Sequence, residues 1–155
     1  MNHRIFGLLM CCTLLLGVCL VGCNNNGGRK AAGGVVTLDG KPVEKAHVTF
    51  IPQTAGMKEA MGTTDAQGNF TLRTLGGENP NGIVPGEYKV IIFKTVSVDT
   101  GKKAPSTVMA GEMDPVYEEK EMLPGVYKDP EKTPLSATVG PDGLKSIEFK
   151  LESKK

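Results

Sequence analysis

From residue 34 onward, apolar residues alternate with polar ones over short runs. Glycine, proline, asparagine and aspartate cut each run before any keeps helical spacing for three turns. Period-two alternation broken at such intervals predicts strands. Gly34 to Leu38 reads as a first strand and Asp39-Gly40-Lys41-Pro42 as a turn. Ala46 to Ile51 follows with Ala46, Val48 and Phe50 on one face, so that the two strands form a β-hairpin or its near equivalent. A third strand lies near Ala60 to Thr64, and Asp65-Ala66-Gln67-Gly68 turns the chain, the aspartate closing a side-chain turn and the glycine taking positive φ. Asn69 to Thr74 continues with Phe70 and Leu72 inward. Val84-Pro85-Gly86 leads into Glu87 to Lys94, where Val90, Ile91, Ile92 and Phe93 occupy both faces and predict a central strand covered on two sides. Leu135 to Val139, a turn at Gly140 to Gly143, and Leu144 to Leu151 close the pattern. In the last strand Ile147, Phe149 and Leu151 point in, and Ser146, Glu148 and Lys150 point out. The expectation is all-β: a single antiparallel β-sandwich of about seven strands over residues 34–155.

Residues 97–133 break this pattern with a stretch rich in lysine, glutamate, methionine and proline, and predict a long loop. Met109, Met113, Val116, Tyr117, Met122, Leu123 and Tyr127 within it are suited to an adaptable apolar contact surface. The plainer alternative is that Tyr117, Leu123 and Tyr127 pin the loop to the body while the remainder is solvated.

The start of the chain differs in kind. His3 and Arg4 precede an apolar run, Ile5 to Val21, of about 17 residues broken by Gly17. This is the pattern of a signal peptide, and a short one for a permanent span. The run ends in Leu20-Val21-Gly22-Cys23, which resembles the lipobox of bacterial lipoproteins. The resemblance implies a signal peptide over residues 1–22, cleavage before Cys23, and a covalent diacylglyceryl or acyl lipid such as palmitate on its thiol, the most nucleophilic group available for such an alkylation. Cys11, Cys12, Cys19 and Cys23 are the cysteines of the chain, so the exported part has no disulfide to rely on and must be held by its core. Residues 23–33, polar and glycine-rich, read as a flexible tether. Asn24 in place of aspartate favours the outer membrane by resemblance to proteobacterial sorting.

Four segments occur in fixed order: Gly34-Val35-Val36-Thr37-Leu38-Asp39-Gly40-Lys41-Pro42-Val43, Ala46-His47-Val48-Thr49-Phe50, Thr63-Thr64-Asp65-Ala66-Gln67-Gly68-Asn69-Phe70, and Pro85-Gly86-Glu87-Tyr88-Lys89-Val90. Together they resemble the carboxypeptidase regulatory-like domain, over about Gly34 to Phe93. Leu123-Pro124, Tyr127-Lys128-Asp129-Pro130 and Leu135 to Leu151 resemble the ending found in short bacterial lipoproteins of that type. The resemblance implies a transthyretin-like (prealbumin-like) sandwich. It implies accessory, adhesive or structural roles more than catalysis, and fold does not fix function.

Chemistry is sparsely provided. His47 is the one histidine beyond the leader, on a strand and pointing away from the core face, and no multi-histidine set for zinc is present. Asp65, Gln67 and Asn69 alternate like oxygen ligands, but lack the several carboxylates that calcium usually takes. Without Arg4, the 18 basic residues fall to 17 against 17 acidic ones, with no basic run longer than a pair such as Lys102-Lys103, which disfavours nucleic acid. The expectation is therefore a lipoprotein of the cell envelope, outside the cytoplasm, without catalytic activity or resident cofactor. Its domain binds a protein or envelope polysaccharide, or is structural, with Met109, Met113, Tyr117, Met122 and Tyr127 as the contact surface. The alternative is a small-ligand module for carbohydrate or calcium.

Overall fold

A computed structural model describes residues 28–76 and 81–153. The leader with Leu20, Val21 and Gly22, the lipidation residue Cys23 and the first part of the tether lie outside the described residues. What is described is almost wholly β: β1 (Ala32–Leu38), β2 (Lys41–Pro42), β3 (His47–Pro52), β4 (Ala60–Thr63), β5 (Asn69–Thr71), β6 (Arg73–Thr74), β7 (Gly86–Phe93), β8 (Thr95–Pro105), β9 (Met113–Glu121), β10 (Ser136–Val139) and β11 (Leu144–Leu151), with one 3₁₀ turn at Gly125–Tyr127. In one sheet β1 pairs with β11, β2 and β5; in a second the order is β10-β7-β3-β4-β6; β8 and β9 form a ribbon of their own. The two larger sheets share a core in which Phe50 from β3 meets Phe70 from β5 and Phe149 from β11, ring centroids 6.4 and 6.1 Å away. Val36, Leu72, Tyr88, Val90, Ile92 and Leu151 fill the space around them.

Several expectations change on this frame. The first hairpin is β1 with the short β2, closed by Asp39 and Gly40 at φ 49° and 78°, the left-handed pair that a two-residue hairpin turn requires. β3, the expected partner, crosses to the other sheet and pairs with β4 and β7. The expected strand over residues 69–74 is two strands in different sheets, β5 against β1 and β6 against β4. Both halves send an alternate side chain, Phe70 and Leu72, into the same core, so their alternation runs through the change of sheet unmarked. The pairing of β1 with β11 is parallel, Val36 opposite Phe149 and Leu38 opposite Leu151, where an all-antiparallel arrangement was expected. β7 is central as expected, but only Tyr88, Val90 and Ile92 are buried. Ile91 and Phe93 on its other face are half-exposed.

The sheet also takes in the end of the expected tether. Lys30 exchanges both backbone hydrogen bonds with Ile83, at 2.7 and 2.9 Å, and Ala32 is buried. Gly33 and Gly34 are there for room. A Cβ on Gly33 would lie 2.5 Å from the Phe70 carbonyl oxygen, and one on Gly34 would run into the backbone and side chain of Ile147 across the parallel pairing. In sequence this looks like flexibility; in space it is close approach of three strands.

Gly34→Ala is therefore expected to lower unfolding stability by about 1–3 kcal/mol in urea titrations, the usual cost of overpacking. Gly125→Ala, whose Cβ would meet nothing within 4 Å, is the control and is expected to stay within about 0.5 kcal/mol of the parent, as exposed sites do.

Candidate functional site

The segment expected as a loop over residues 97–133 is built from a ribbon and a return. β7 runs on through Lys94 into β8, and β9 comes back beside it in antiparallel register from Thr95 opposite Glu121 to Pro105 opposite Met113. Its strands escaped notice in the sequence because neither face is buried, so no alternation of core and surface marks them. Midway, Thr100 to Lys102 stand opposite Val116 alone, a bulge in which the Thr100 hydroxyl donates to the Val116 carbonyl at 2.7 Å. The next residue on β9, Pro115, has no N–H for the ladder, and bulges are where such residues are tolerated. The tip is tied by the Ser106 hydroxyl, which accepts from the N–H groups of Val108 and Met109 at 3.2 and 3.1 Å.

The root is held by polar contacts around one carboxylate. Glu121 accepts the Lys94 N–H at 2.9 Å on one oxygen and faces the Lys128 ammonium at 3.3 Å on the other. That ammonium lies 5.6 Å from the centre of the Phe93 ring, which stacks on His47 at 5.1 Å. Met122 N–H donates to the Lys94 carbonyl at 2.8 Å, keeping the ribbon in line with β7. Its direction follows: the N-terminal segment enters at the start of β1, beside Leu144, and the ribbon root, where Lys94 and Met122 lie beside Leu38 and Asp39, stands at the far end of that seven-residue strand, about 20 Å away.

Of the residues expected as a contact surface, Met109, Met113, Tyr117 and Met122 are exposed, at 57, 53, 60 and 48%. Tyr127 leaves the set. It is buried, and its phenol oxygen accepts the Glu152 N–H at 3.0 Å, which with buried Leu123 pins the return to the body. The plainer reading of the loop thus holds for Leu123 and Tyr127 and fails for Tyr117. Val98 and Val108 belong with the exposed group, Val108 being 88% exposed at the tip. Neither was singled out from the sequence, where a lone valine in a polar stretch carries no signal.

A second feature lies beside the root. The outward face of the five-stranded sheet carries a groove of about 500 Å³ lined by His47, Thr49, Met61, Arg73, Leu75 and Phe93 among others. It follows from register: Ile91, Thr49, Met61 and Arg73 form one cross-strand row, and Phe93, His47 and Thr63 the next. The signal for it was the run Val90 to Phe93, whose outward half was read as covered.

Asp65 has a structural occupation. Its carboxylate accepts the N–H groups of Gln67 and Asn69 at 2.9 and 2.8 Å, and both oxygens receive the Asn69 side-chain amide at 3.2 and 3.1 Å. These bonds, the Asn69 side chain first, hold the Asp65 carboxyl below its ordinary range. Among the described residues no group of three or more His, Cys, Asp or Glu is placed to hold a metal ion, and no helix is long and apolar enough to cross a membrane.

No family model matches the chain, and no curated protein does. Among solved structures it is similar to a 9R-lipoxygenase from Cyanothece, with 13% identity over 81% of this chain and 16% of that one and a TM-score of 0.36, a likeness too loose to carry an argument.

Because folding lowers the Asp65 pKa, the carboxylate stabilises the native state fully above the ordinary value near 4 and less as pH falls through the lowered one. Acidification from about pH 6 to about pH 3 is expected to lower the thermal midpoint more for the parent than for Asp65→Asn. Equal losses would show that the turn does not depend on the charge.

Proposed function

We propose that this chain is a non-catalytic lipoprotein of the bacterial cell envelope, anchored by lipid on Cys23, whose domain is a transthyretin-like sandwich of the carboxypeptidase regulatory-like type. It serves as a binding or structural module for an envelope protein or polymer, with the β8–β9 ribbon as its contact surface. The ribbon carries this reading. It exposes Met113 and Tyr117 on one face, Val98 on the other, Val108 and Met109 near the tip and Met122 at its root, and exposed large apolar side chains concentrated on one element mark an interaction site. It also leaves the body at the end opposite the N-terminal entry. A chain tethered through its N-terminus therefore presents the ribbon away from the anchoring membrane, toward whatever occupies the envelope beyond.

The residues for catalysis are correspondingly few. His47 is exposed and stacked on Phe93, with no carboxylate, hydroxyl or thiol hydrogen-bonded to it among the described residues. The small-ligand reading draws on the groove alone, since the oxygens of Asp65 that a calcium ion would need are engaged in closing their own turn.

Two measurements test the proposal. Cells fed an alkyne-bearing fatty acid are expected to label the parent chain and not Cys23→Ser; equal labelling would remove the anchor. Joining Val96 to Lys120 through an Asn-Gly turn, which supports tight hairpins, removes the exposed stripe and keeps Glu121. The shortened chain is expected to keep its thermal midpoint within a few degrees while losing the partners that the full chain captures by in-cell crosslinking. If all partners stay bound to the shortened chain, the contact surface lies elsewhere.

A further inference from the structure

Every exposed large apolar side chain among the described residues belongs to one of two places: Met61 and Leu75 to the groove, and Val98, Val108, Met109, Met113, Tyr117 and Met122 to the ribbon and its root. The rest of the described surface has none. From this pairing we infer that the ribbon of one copy lies in the groove of a second, and reciprocally, so that the chain forms a twofold ribbon-exchanged homodimer. The inference rests on the ribbon being a contact surface and names what it contacts.

Charge argues for the same occupant. Arg73 is the one charged side chain among the described residues lining the groove, and the Lys58 ammonium stands at its Gly76 end. β9 carries Asp114, Glu118, Glu119 and Glu121 against Lys120. Opposite residues of an antiparallel pair share a face, so Met113, Pro115, Tyr117 and Glu119 line up on one side of β9, with Asp99 across from Tyr117 and Lys103 across from Pro115, while Asp114, Glu118 and Lys120 lie on the other side. The Tyr117 face thus carries two carboxylates against one ammonium, and it meets a groove whose charged neighbours, Arg73 and Lys58, are both cations; such complementarity helps select and orient a partner.

Geometry argues for a second copy over the chain's own groove. Phe93 lines the groove and Thr95 opens the ribbon two residues later. The Lys94 to Met122 and Lys94 to Glu121 bonds hold the ribbon in line with β7, so that it points past its own groove. A copy turned about an axis near the root brings each ribbon over the other's groove. The width suits this: the groove spans four strands, β7, β3, β4 and β6, roughly 15 Å across at the usual strand spacing, against roughly 5 Å between the two strands of the ribbon. The contact is the same on both copies and closes on itself.

The test uses the full chain in its own membrane. A benzophenone amino acid replaces Tyr117 in a copy with one epitope tag, co-expressed with a copy carrying another tag, and crosslinked peptides are mapped after irradiation. The expected product joins position 117 to residues 61–75 of the differently tagged copy, and it is lost when that copy carries Met61→Glu. Arg73→Glu in the same copy is a second check at an exposed position, with thermal midpoints confirming that both variants fold. Products confined to one tag, products to the second copy outside the groove, or yields unmoved by both substitutions overturn the dimer. Products only with other envelope proteins overturn the dimer and leave the ribbon as contact surface. No product of any kind overturns both.

Discussion

Phe50 joins the two sheets. It comes from β3 in the middle of the five-stranded sheet, is fully buried, and touches Phe70 and Phe149 of the facing sheet and Tyr88 of its own neighbour β7. Phe70 and Phe149 stack on one another in turn, 6.1 Å apart. No cysteine lies among the described residues, so nothing covalent ties the layers and this cluster must do so by burial and ring contact. Each such aromatic pair adds about 0.5–1.5 kcal/mol beyond its buried area. The rest of the body follows from it. β5 and β11 must flank β1 to bring Phe70 and Phe149 together, which draws three strands close enough that Gly33 and Gly34 have no room for a side chain.

That dependence explains what could be read from the sequence and what could not. The boundaries of β11, β3, β4 and β7 were legible to within a residue or two because each buries alternate side chains, and period two survives any choice of partner. Partners were not legible. The Asp39-Gly40 turn predicted a hairpin correctly, yet β3 crosses to the other layer, where the Thr64 N–H donates to the Ala46 carbonyl and the Ala46 N–H to the Thr64 hydroxyl. Parallel pairing of β1 with β11 joins the two ends of the domain, and nothing local to either strand encodes it. Glycine misled for a related reason. Residues that look like slack in a chain are also those that let backbones touch, and only a third strand tells the two apart.

The site was half legible. Composition located the unusual segment and picked out Met109, Met113, Tyr117 and Met122 within it. Their arrangement as a ribbon stayed hidden, because a strand with both faces in water has no burial pattern to declare it. Tyr127 was misplaced by the same limitation. An aromatic residue in a polar stretch is equally compatible with exposure and with anchoring, and the difference lies in the return that carries it under the Glu152 backbone. The groove was hidden in the opposite way: Ile91 and Phe93 looked like core residues and face outward.

A two-stranded ribbon is marginal on its own in water, and this one has no core beneath it. Its order comes from the root, where Lys94, Glu121 and Lys128 are bound together beside Phe93, and from hydrogen bonds at the bulge and tip. The carboxylates of β9 also discourage unplanned pairing along its free edge, as charge on an exposed strand does. Those features favour a solitary, soluble ribbon, and the methionines, valines and tyrosine on it do not. A ribbon that sets charged side chains among exposed apolar ones resists indiscriminate strand addition and remains open to a complementary face. The contact role proposed for the ribbon would account for the exposed side chains that its own order does not require.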